Sequence, residues 1–421
     1  MLDMKFIRKN PERVRKAIAD KRERADVDAL LELDRERRRL LKETETLRAQ
    51  QNKMNARIAD IKRSGGSAAG VISEMRTLSG RIKSLNDELR GLGEKIEQIH
   101  IRIPNIPHDS VPVGDEDENQ EIRRWGAIPE HDFVPRPHYE LAEELGLIDF
   151  VRASRMSGSF FVGFRGLGAR LQRALINFMI ELHVEKHGYT EFSPPFITRR
   201  EALFVAGQLP KLEEDMYHVP EDDLFLIPTA EVPITNLHRG EMLSNDELPL
   251  SYTAYTPCFR REAGAYGAET RGLMRIHQFD KVEMVRFVAP DRSYDELEIL
   301  LGHAEDVMQA LDLPYRVLNL ATGDLSFAAA KCYDIEVWAA GLQKWLEVSS
   351  CSNFEDFQAR RGDIRFRRGK GSKPEFVHTL NGSGLALPRT MIAILENYQT
   401  DEGTVIVPPV LRRYMDVDII K

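Results

Sequence analysis

The segment RIHQFDKVEMVRFV, residues 275–288, restricts the fold of this chain more than any other part of it. Its apolar and polar side chains interleave in the manner typical of a half-buried β-strand. Because side chains alternate along a strand, Phe279, Lys281 and Glu283 are predicted to share one face. An aromatic ring and a carboxylate would then stand side by side on a sheet.

The segments around this strand mix strand and helix patterns. Residues 366–380 have a second strand pattern, whereas residues 169–187 and 294–310 have the apolar spacing of amphipathic helices. Strand and helix do not alternate regularly, which disfavours a parallel sheet. We therefore predict an α+β domain whose mainly antiparallel sheet is flanked by helices.

The N-terminal region is of a different kind, because residues 27–63 predict one long helix. Apolar residues recur along it at every seventh position: Leu33, Leu40, Leu47, Met54 and Ile61. Such a stripe is typical of a coiled coil, although companion positions such as Thr44 and Gln51 are polar. The seven residues 64–70 break the pattern, and residues 78–99 form a second heptad run. The two helices would return antiparallel as an arm of roughly 55 Å.

The prolines and acidic residues that follow the second helix mark a linker. We predict a domain 1–103 with the coiled-coil arm, a linker 104–120 and a second domain 121–421. Residues 1–100 contain 24 Lys and Arg against 17 Asp and Glu, a net +7, while the remainder contains 35 against 50, a net −15. A basic arm attracts nucleic acid, which the acidic part repels. The alternatives are a merely solvated helix pair and a dimerising coiled coil.

Composition excludes several classes of protein. The chain has 42% hydrophobic and 30% charged residues, which is typical of a globular protein. It also has no apolar run near the ~18 residues that a membrane span needs. No secretion signal is visible, so we expect a cytoplasmic protein. Its three cysteines form no CxxC pair, which disfavours disulfides and a cysteine zinc site. Neither a P-loop nor a GxGxxG turn between strand and helix occurs, which disfavours the common nucleotide-binding folds.

Three separated segments resemble the three motifs of class II aminoacyl-tRNA synthetases. They are GYTEFSPP at 188–195, which ends in the motif proline Pro195; FRRE at 259–262, with a glycine-containing loop and the strand 275–283 after it; and LNGSGLALPR at 380–389, which leads into a helix through Gln399. The match extends over nearly the whole chain. The resemblance implies a class II catalytic domain behind the arm.

The second and third motifs would form the ATP site. Arg260 would bind the α-phosphate and the amino-acid carboxylate, Glu262 the adenine amino group, and Phe279 would stack on adenine. Arg389 would meet the γ-phosphate and cover the other face of adenine. Arg260 and Arg389 would thus be the catalytic residues. The glycines of residues 380–389 would let adenosine approach the backbone. An ordinary Gly-rich turn before a helix is the alternative.

Features outside the motifs imply serine as the amino acid. Thr229-Ala230-Glu231 resembles the TAE serine loop of the seryl-tRNA synthetases, and EVSSCSN at 347–353 is close to a signature of that family. In that signature two residues would present oxygen ligands to Mg²⁺ on ATP, the ligand type that this cation prefers. The predicted ATP contacts are Arg260, Arg261, Glu262, Ile276, Phe279, Glu347, Val348, Ser349, Ser350 and Arg389. The predicted serine contacts are Thr229, Ala230, Glu231, Arg260, Glu283, Asn381 and Ser383, and the metal ligands are Glu347 and Ser350.

The resemblance therefore implies a seryl-tRNA synthetase of the bacterial type. Such an enzyme activates L-serine with ATP and transfers it to the 3′ end of tRNA(Ser), and we expect tRNA(Sec) as a second acceptor. The arm would bind the tRNA, and the first motif would form a homodimer interface. The serine carboxylate is already ionised, so the reaction needs alignment and cancellation of charge rather than an enzyme nucleophile.

Two places depart from the family pattern. Phe204-Val205-Ala206-Gly207-Gln208 stands where a Gly-Thr-Gly-Gln run is usual, and Arg413 replaces a usual proline. Both lie outside the residues assigned to chemistry, so we expect effects on loop geometry rather than on activity. Two other functions stay open. A paralogue could load an amino acid onto a carrier protein, which the basic arm disfavours, and an inactive RNA-binding protein would not require the full set of site residues.

Overall fold

The computed structural model describes residues 1–263 and 271–421. Two compact units are present, Leu2–Pro104 and Asn105–Lys421, and Met1 belongs with the second. Most of the glycine-containing loop predicted after Glu262 lies outside the described residues. No helix in the described ranges is both long enough and apolar enough to cross a membrane.

Helices dominate the first unit, and both helices and strands build the second. The helices are Met4–Lys9 (α1), Pro11–Asp20 (α2), Val27–Arg63 (α3), Ala69–His100 (α4), His138–Glu144 (α5), Phe150–Ser157 (α6), Leu167–Glu181 (α7), Arg200–Ala206 (α8), Glu231–Thr235 (α9), Ser293–Ala310 (α10), Phe357–Gly362 (α11), Leu387–Asn397 (α12) and Arg412–Met415 (α13). The strands are Gln120–Trp125 (β1), Ile148–Asp149 (β2), Gly163–Phe164 (β3), Thr190–Glu191 (β4), Ile197–Arg199 (β5), His218–Val219 (β6), Leu224–Leu226 (β7), Met242–Ser244 (β8), Leu250–Phe259 (β9), Gln278–Val288 (β10), Tyr315–Asn319 (β11), Lys331–Ala339 (β12), Lys344–Asn353 (β13), Arg365–Arg367 (β14), Glu375–Phe376 (β15), His378–Ala386 (β16), Val405–Ile406 (β17) and Ile419–Ile420 (β18).

The two long helices of the first unit pack against each other along their length, as the heptads predict. Helix α3 has the predicted bounds, and its 37 residues correspond to roughly 55 Å at 1.5 Å per residue. The break between the helices is shorter than predicted, because α4 begins at Ala69 rather than after Gly70. Alanine is the best helix former, and the first turn tolerates the glycine.

The polar positions in the coiled-coil seam have local partners. Buried Thr44 donates its hydroxyl to the Leu40 carbonyl 2.8 Å away within its own helix. Gln51 reaches across the pair and donates through Nε2 to Ser79 Oγ at 2.9 Å. Because both polar groups are hydrogen-bonded, the seam accommodates these residues without leaving their donors unpaired.

The second unit is built on one large sheet. Within the described residues its strand order is β1-β11-β12-β13-β16-β10-β9-β4, and neighbouring strands are antiparallel except for β4 and β9. Helices α7, α10 and α12 pack against it over a continuous apolar core. The predicted α+β fold with a mainly antiparallel sheet is thereby confirmed.

The prediction of one strand over residues 366–380 is wrong. That segment contains β14, a turn, β15 and the start of β16, and β14 pairs with β15 as an antiparallel hairpin. The turn needs Gly371, whose φ of +85° lies in the left-handed region that most side chains avoid. The flanking residues do form strands, but the glycine and Pro374 divide them.

The glycines of the third motif lie within strand β16 and not in a turn before the helix, the alternative for this segment. A Cβ on Gly382 would lie 2.8 Å from Cys351 Sγ, and a Cβ on Gly384 would lie 2.3 Å from His183 Nε2. These glycines therefore allow close packing of the strand on the protein interior. Pro388 does lie in the first turn of the following helix, which ends at Asn397 rather than at Gln399.

Candidate active site

A cavity of about 520 Å³ opens within the second unit, beside strands β10, β13 and β16. Thirteen of the sixteen residues predicted to bind ATP, serine or metal line it: Thr229, Glu231, Arg260, Glu262, Ile276, Phe279, Glu283, Glu347, Val348, Ser350, Asn381, Ser383 and Arg389. They come from segments separated by up to 160 residues of chain. The sheet therefore assembles in one place residues that are far apart in the sequence.

Strand β10 contributes three alternate side chains from its first half to the cavity. Phe279, Lys281 and Glu283 all line it, as the strand alternation predicts. Glu283 is 1% exposed, and its Oε2 accepts a hydrogen bond of 2.9 Å from Thr229 Oγ1. The ammonium group of buried Lys281 forms an ion pair with the same oxygen. Sequence reasoning placed Lys281 on this face but gave it no role, whereas the structure makes it the cationic partner of Glu283.

A second buried carboxylate, that of Glu231, lies next to this pair. Gln358 donates through Nε2 to Glu231 Oε1 at 2.7 Å, and Glu231 is 5% exposed. Burial and the nearby Glu283 carboxylate raise the pKa of Glu231 to about 7. When two carboxylates lie close together in a dry site, repulsion between their negative charges disfavours the ionisation of both at once. A positively charged ligand group placed here would relieve that repulsion.

The raised pKa of Glu231 predicts a pH dependence of stability. Its pKa is about 7 in the folded protein against 4.5 as reference, so the folded state binds more protons between these values and loses stability as pH rises. In the Glu231→Gln variant residue 231 cannot ionise, so its free energy of unfolding lacks this loss. The free energy of unfolding of the variant minus that of the native protein should therefore increase by up to about 3 kcal/mol from about pH 5 to pH 8. Urea unfolding followed by tryptophan fluorescence measures this, because all three tryptophans lie in the second unit. Parallel pH profiles for the two proteins would contradict the prediction.

The other part of the cavity contains cationic and aromatic groups. The Arg260 guanidinium carbon lies 5.2 Å from the centroid of the Phe279 ring, a cation–π distance. Glu262 Oε2 lies 2.9 Å from Arg275 Nη1, which fixes the carboxylate at the cavity wall. Arg389 donates through Nη1 to the Glu347 carbonyl at 2.8 Å.

A β-bulge explains how Glu347 and Ser350 come to face the same cavity. Residues three apart on a regular strand point to opposite faces. In β13, however, Ser349 pairs with Ile335 and Glu347 with Glu336, so Val348 is an extra residue that reverses the alternation. Ser350 Oγ consequently donates to Glu347 Oε1 at 3.1 Å. The bulge creates a carboxylate and a hydroxyl side by side.

A second bulge lies on β16. Glu283 pairs with Ser383 and Val282 with Leu385, which leaves Gly384 without a partner on β10. The extra residue lets Ser383 and Ala386 both line the cavity while Leu385 is buried in the core. Gly384 itself packs on His183. The two bulges therefore orient the ligand-facing residues of two neighbouring strands.

Three of the predicted site residues do not line the cavity. Ala230 is fully buried, Ser349 is 1% exposed, and Arg261 is exposed and donates to the Glu214 carbonyl at 3.2 Å. Their assignment to ligand contacts depends on the family resemblance alone. Ser349 instead directs its hydroxyl to the Ser383 carbonyl, 2.6 Å away.

One wall of the cavity was not predicted from the sequence. This wall consists of two segments. One is Ala206, Gly207 and Gln208, part of the run 204–208 that departs from the family pattern, and the other is Ser326, Phe327 and Ala328. A Cβ on Gly207, whose φ is +89°, would lie 2.7 Å from the Ala328 Cβ. The departure from the family pattern therefore lies at the site and not only in a distant loop. No local pattern in the sequence predicts that these two segments meet.

Two family models match the chain. Residues 214–398 match the family model described as tRNA synthetase class II core domain (G, H, P, S and T), and residues 1–107 match the Seryl-tRNA synthetase N-terminal domain. A serine–tRNA ligase of Thermoanaerobacter pseudethanolicus is 56% identical over 422 residues, with 100% of each chain covered. One of Geobacter sulfurreducens is 53% identical and covers 99% of this chain and 98% of the relative.

A solved structure extends the likeness to three dimensions. The crystal structure of seryl-tRNA synthetase from Pyrococcus horikoshii complexed with ATP has a TM-score of 0.94 at 40% identity, with 100% of this chain and 99% of that chain covered. Sequence identity above one half, full coverage and matching models for both regions leave one assignment. The chain belongs to the seryl-tRNA synthetase family of class II aminoacyl-tRNA synthetases, the serine–tRNA ligases, and is of the type that bacteria contain.

Proposed function

We propose that the cavity activates L-serine with ATP and that the enzyme then transfers the seryl group to the 3′ end of tRNA(Ser). The observation that carries this proposal is the meeting of a buried carboxylate pair with two arginines in one cavity. The carboxylates Glu231 and Glu283 suit an ammonium group, and Arg260 and Arg389 suit phosphate and carboxylate oxygens. A site for an amino acid thus adjoins a site for a nucleotide.

The chemistry of the first step fits these side chains. The serine carboxylate attacks the α-phosphorus of ATP and forms a C–O–P link, while the bond to the bridging oxygen breaks and pyrophosphate leaves with its electrons. Neither a nucleophile nor a general base of the enzyme is required, because the attacking oxygen is already ionised. Arg260 and Arg389 would align the reactants and balance the charge on phosphorus oxygens. In the second step a ribose hydroxyl of the tRNA attacks the acyl carbon and forms an ester, while the acyl–oxygen bond to the phosphate breaks, AMP leaves with its electrons, and the hydroxyl proton is released to solvent.

Recognition of serine would use the buried end of the cavity. Glu283 is held by Thr229 and Lys281, so its carboxylate is fixed before the ligand arrives. Asn381 and Ser383 line the same cavity from β16 and are 9% and 7% exposed. A site built for a hydroxyl rejects alanine, because its polar groups would then have no partner, at a cost of up to ~10⁴-fold.

The donor set at Glu347 and Ser350 fits a Mg²⁺ ion that accompanies ATP. The Glu347 side chain is 46% exposed at the cavity, and the Ser350 hydroxyl lies 3.1 Å from one of its oxygens. Both are oxygen ligands, the kind that this hard cation takes. When bound, the ion would neutralise phosphate charge. Arg389, 3.2 Å from the second carboxylate oxygen, would orient Glu347.

The experiment that tests the proposed function has two stages. Serine should support ATP–pyrophosphate exchange, while alanine and threonine support little, and tRNA(Ser) should then be charged with serine. Exchange without tRNA charging would favour a paralogue that loads a carrier protein. Absence of exchange would favour an inactive RNA-binding protein. Charging of a tRNA(Sec) transcript, which we propose from the family resemblance, is measured in the same assay.

Replacing Glu283 should damage serine recognition more than ATP recognition. We expect Glu283→Ala to lower kcat/KM for serine by about 10²-fold, since it removes one partner of a buried charge pair. The KM for ATP should change little. Glu283→Gln, which keeps the size and the hydrogen-bonding oxygen, separates loss of charge from loss of packing. A raised KM for ATP with an unchanged KM for serine would reverse the assignment.

We further propose a homodimer formed through the region of the first motif. Three apolar side chains just after β4 are 36% to 50% exposed: Phe192, Phe196 and Ile197. Exposed apolar patches on a monomer frequently mark contact surfaces. Sedimentation at micromolar concentration should give twice the 48.1 kDa chain mass. Ile197→Glu should shift the protein towards monomer, whereas Val151→Glu, an exposed control elsewhere, should not; a monomeric native protein would contradict the proposal.

A further inference from the structure

Strands β13 and β16 pair over only three residues of each strand. The pairs run from Asn353 with Leu380 to Cys351 with Gly382, and the ladder then stops. Just beyond this point the Ser349 hydroxyl donates to the Ser383 carbonyl at 2.6 Å. A side chain thus continues the connection where the backbone ladder has ended.

This hydrogen bond joins the two bulges. Ser349 is the neighbour of the extra residue Val348 on β13, and Ser383 is the neighbour of the extra residue Gly384 on β16. A bulge interrupts the ladder and leaves the backbone less restrained than in a regular strand. Beyond the last pair, the separation of the two bulged segments therefore depends on contacts such as this one.

The surroundings of Ser349 make the bond effective. The residue is 1% exposed and its hydroxyl also lies 3.7 Å from Cys351 Sγ, so water does not compete for the donor. A buried hydrogen bond of this kind contributes about 1 kcal/mol, and a buried group left without its partner costs more. Ser349 itself does not line the cavity. Its hydroxyl acts only on protein.

We propose that Ser349 is a positioning residue that fixes the distance between the serine-binding and nucleotide-binding strands, an inference that rests on the proposed function. Through the Ser383 carbonyl it holds the Ser383 side chain, on the amino-acid side, in register with Glu347 and Ser350 on the nucleotide side. Alignment of serine with the α-phosphorus then depends on it. A misplacement of about 1 Å costs on the order of 10²-fold in rate.

The first test compares Ser349→Ala with two related variants. The alanine variant should lower kcat/KM for serine in pyrophosphate exchange by about 10- to 100-fold, with a reduced preference for serine over alanine. Ser349→Thr retains the hydroxyl and should restore most of the activity. Ser349→Cys keeps the approximate size but has only a weak donor, so it should resemble alanine; it also serves if the alanine variant does not fold.

A matched control separates positioning from stability. Ser293 is fully buried and does not line the cavity. Its hydroxyl is hydrogen-bonded to Asn353 Nδ2 of β13 at 3.2 Å and to His378 Nδ1 of β16 at 2.8 Å, so it contacts the same two strands at the end of the ladder away from the bulges. Ser293→Ala should lower the Tm as Ser349→Ala does without changing kcat/KM for serine. Equal kinetic effects of the two variants at equal loss of Tm would overturn the proposal.

A double-mutant cycle shows whether Ser349 acts through Ser383. If it does, Ser349→Ala should lower the preference for serine over alanine little further in a Ser383→Ala background, since coupled residues are non-additive. Independent, multiplicative effects would overturn the proposal. Failure of the proposed function is a different outcome, because the native protein would then show no serine-dependent exchange at all.

Discussion

Arg389→Ala and Arg260→Ala should each slow serine-dependent ATP–pyrophosphate exchange by about 10²-fold or more, because each removes a charged donor from the transition state. The two arginines enter the cavity from different elements, Arg260 from the end of β9 and Arg389 from the start of α12. The effect should appear mainly in kcat, since charge on the phosphorus oxygens changes most between the ground state and the transition state.

The structure predicts a further consequence for the Arg389 variant. Arg389 is bonded to both the carbonyl and the carboxylate of Glu347, so its removal also frees the proposed metal ligand. Both contacts come from Nη1. Arg389→Lys keeps the charge but replaces the planar guanidinium by a compact ammonium on a shorter side chain, and it should recover only part of the rate. We therefore expect the rate of exchange to fall in the order native protein, lysine variant, alanine variant.

A control for these variants is Arg152→Ala. The Arg152 side chain is 73% exposed, pairs with Asp149 and does not line the cavity. Its replacement removes the same positive charge from the protein surface, and exchange should stay at the native rate. Native exchange in either active-site alanine variant would show that the arginine in question has no role in adenylation.

The second large effect concerns the arm. Replacing residues 27–100 by a short linker should leave adenylation nearly intact, since every residue that lines the cavity lies after position 205. Charging of tRNA(Ser) should fall steeply, because the deleted residues contain 15 Lys and Arg against 12 Asp and Glu, a net +3, whereas residues 101–421 carry a net −15. We propose that the arm lies against the long variable arm of tRNA(Ser) and recognises its shape and backbone. Equal survival of both activities would make the arm a structural element instead.

Charge substitutions test the same proposal without removing the arm. The basic candidates are Arg38, Arg48, Lys53, Arg57, Lys62, Arg76 and Arg81. Arg48 and Arg81 bond to the opposite helix through Asn86 and Glu43, so replacing either would also loosen the pair. Lys53 and Arg57 are exposed, and glutamine there preserves helix propensity. A substitution that removes one phosphate interaction should reduce the slope of log affinity against log salt by about one unit.

Local periodicity explains why much of this fold could be predicted. Heptads in residues 27–63 predicted the long helix α3, and strand alternation predicted that Phe279, Lys281 and Glu283 share a face. Both patterns depend only on residues that are close to each other in the sequence, within one or two helical turns or strand pleats. They failed where a single residue redirects the chain, as Gly371 does within residues 366–380.

The sequence by itself determined the coiled-coil arm, the antiparallel sheet and, through family resemblance, thirteen of the residues that meet in the cavity. Only the tertiary structure decided how those residues are oriented. Glu347 and Ser350 share a face because Val348 is bulged against β12, and Glu231 titrates near neutral pH because it is buried beside Glu283. Register between strands and the charge of a buried neighbour are set by residues distant in the chain, so no local pattern encodes them.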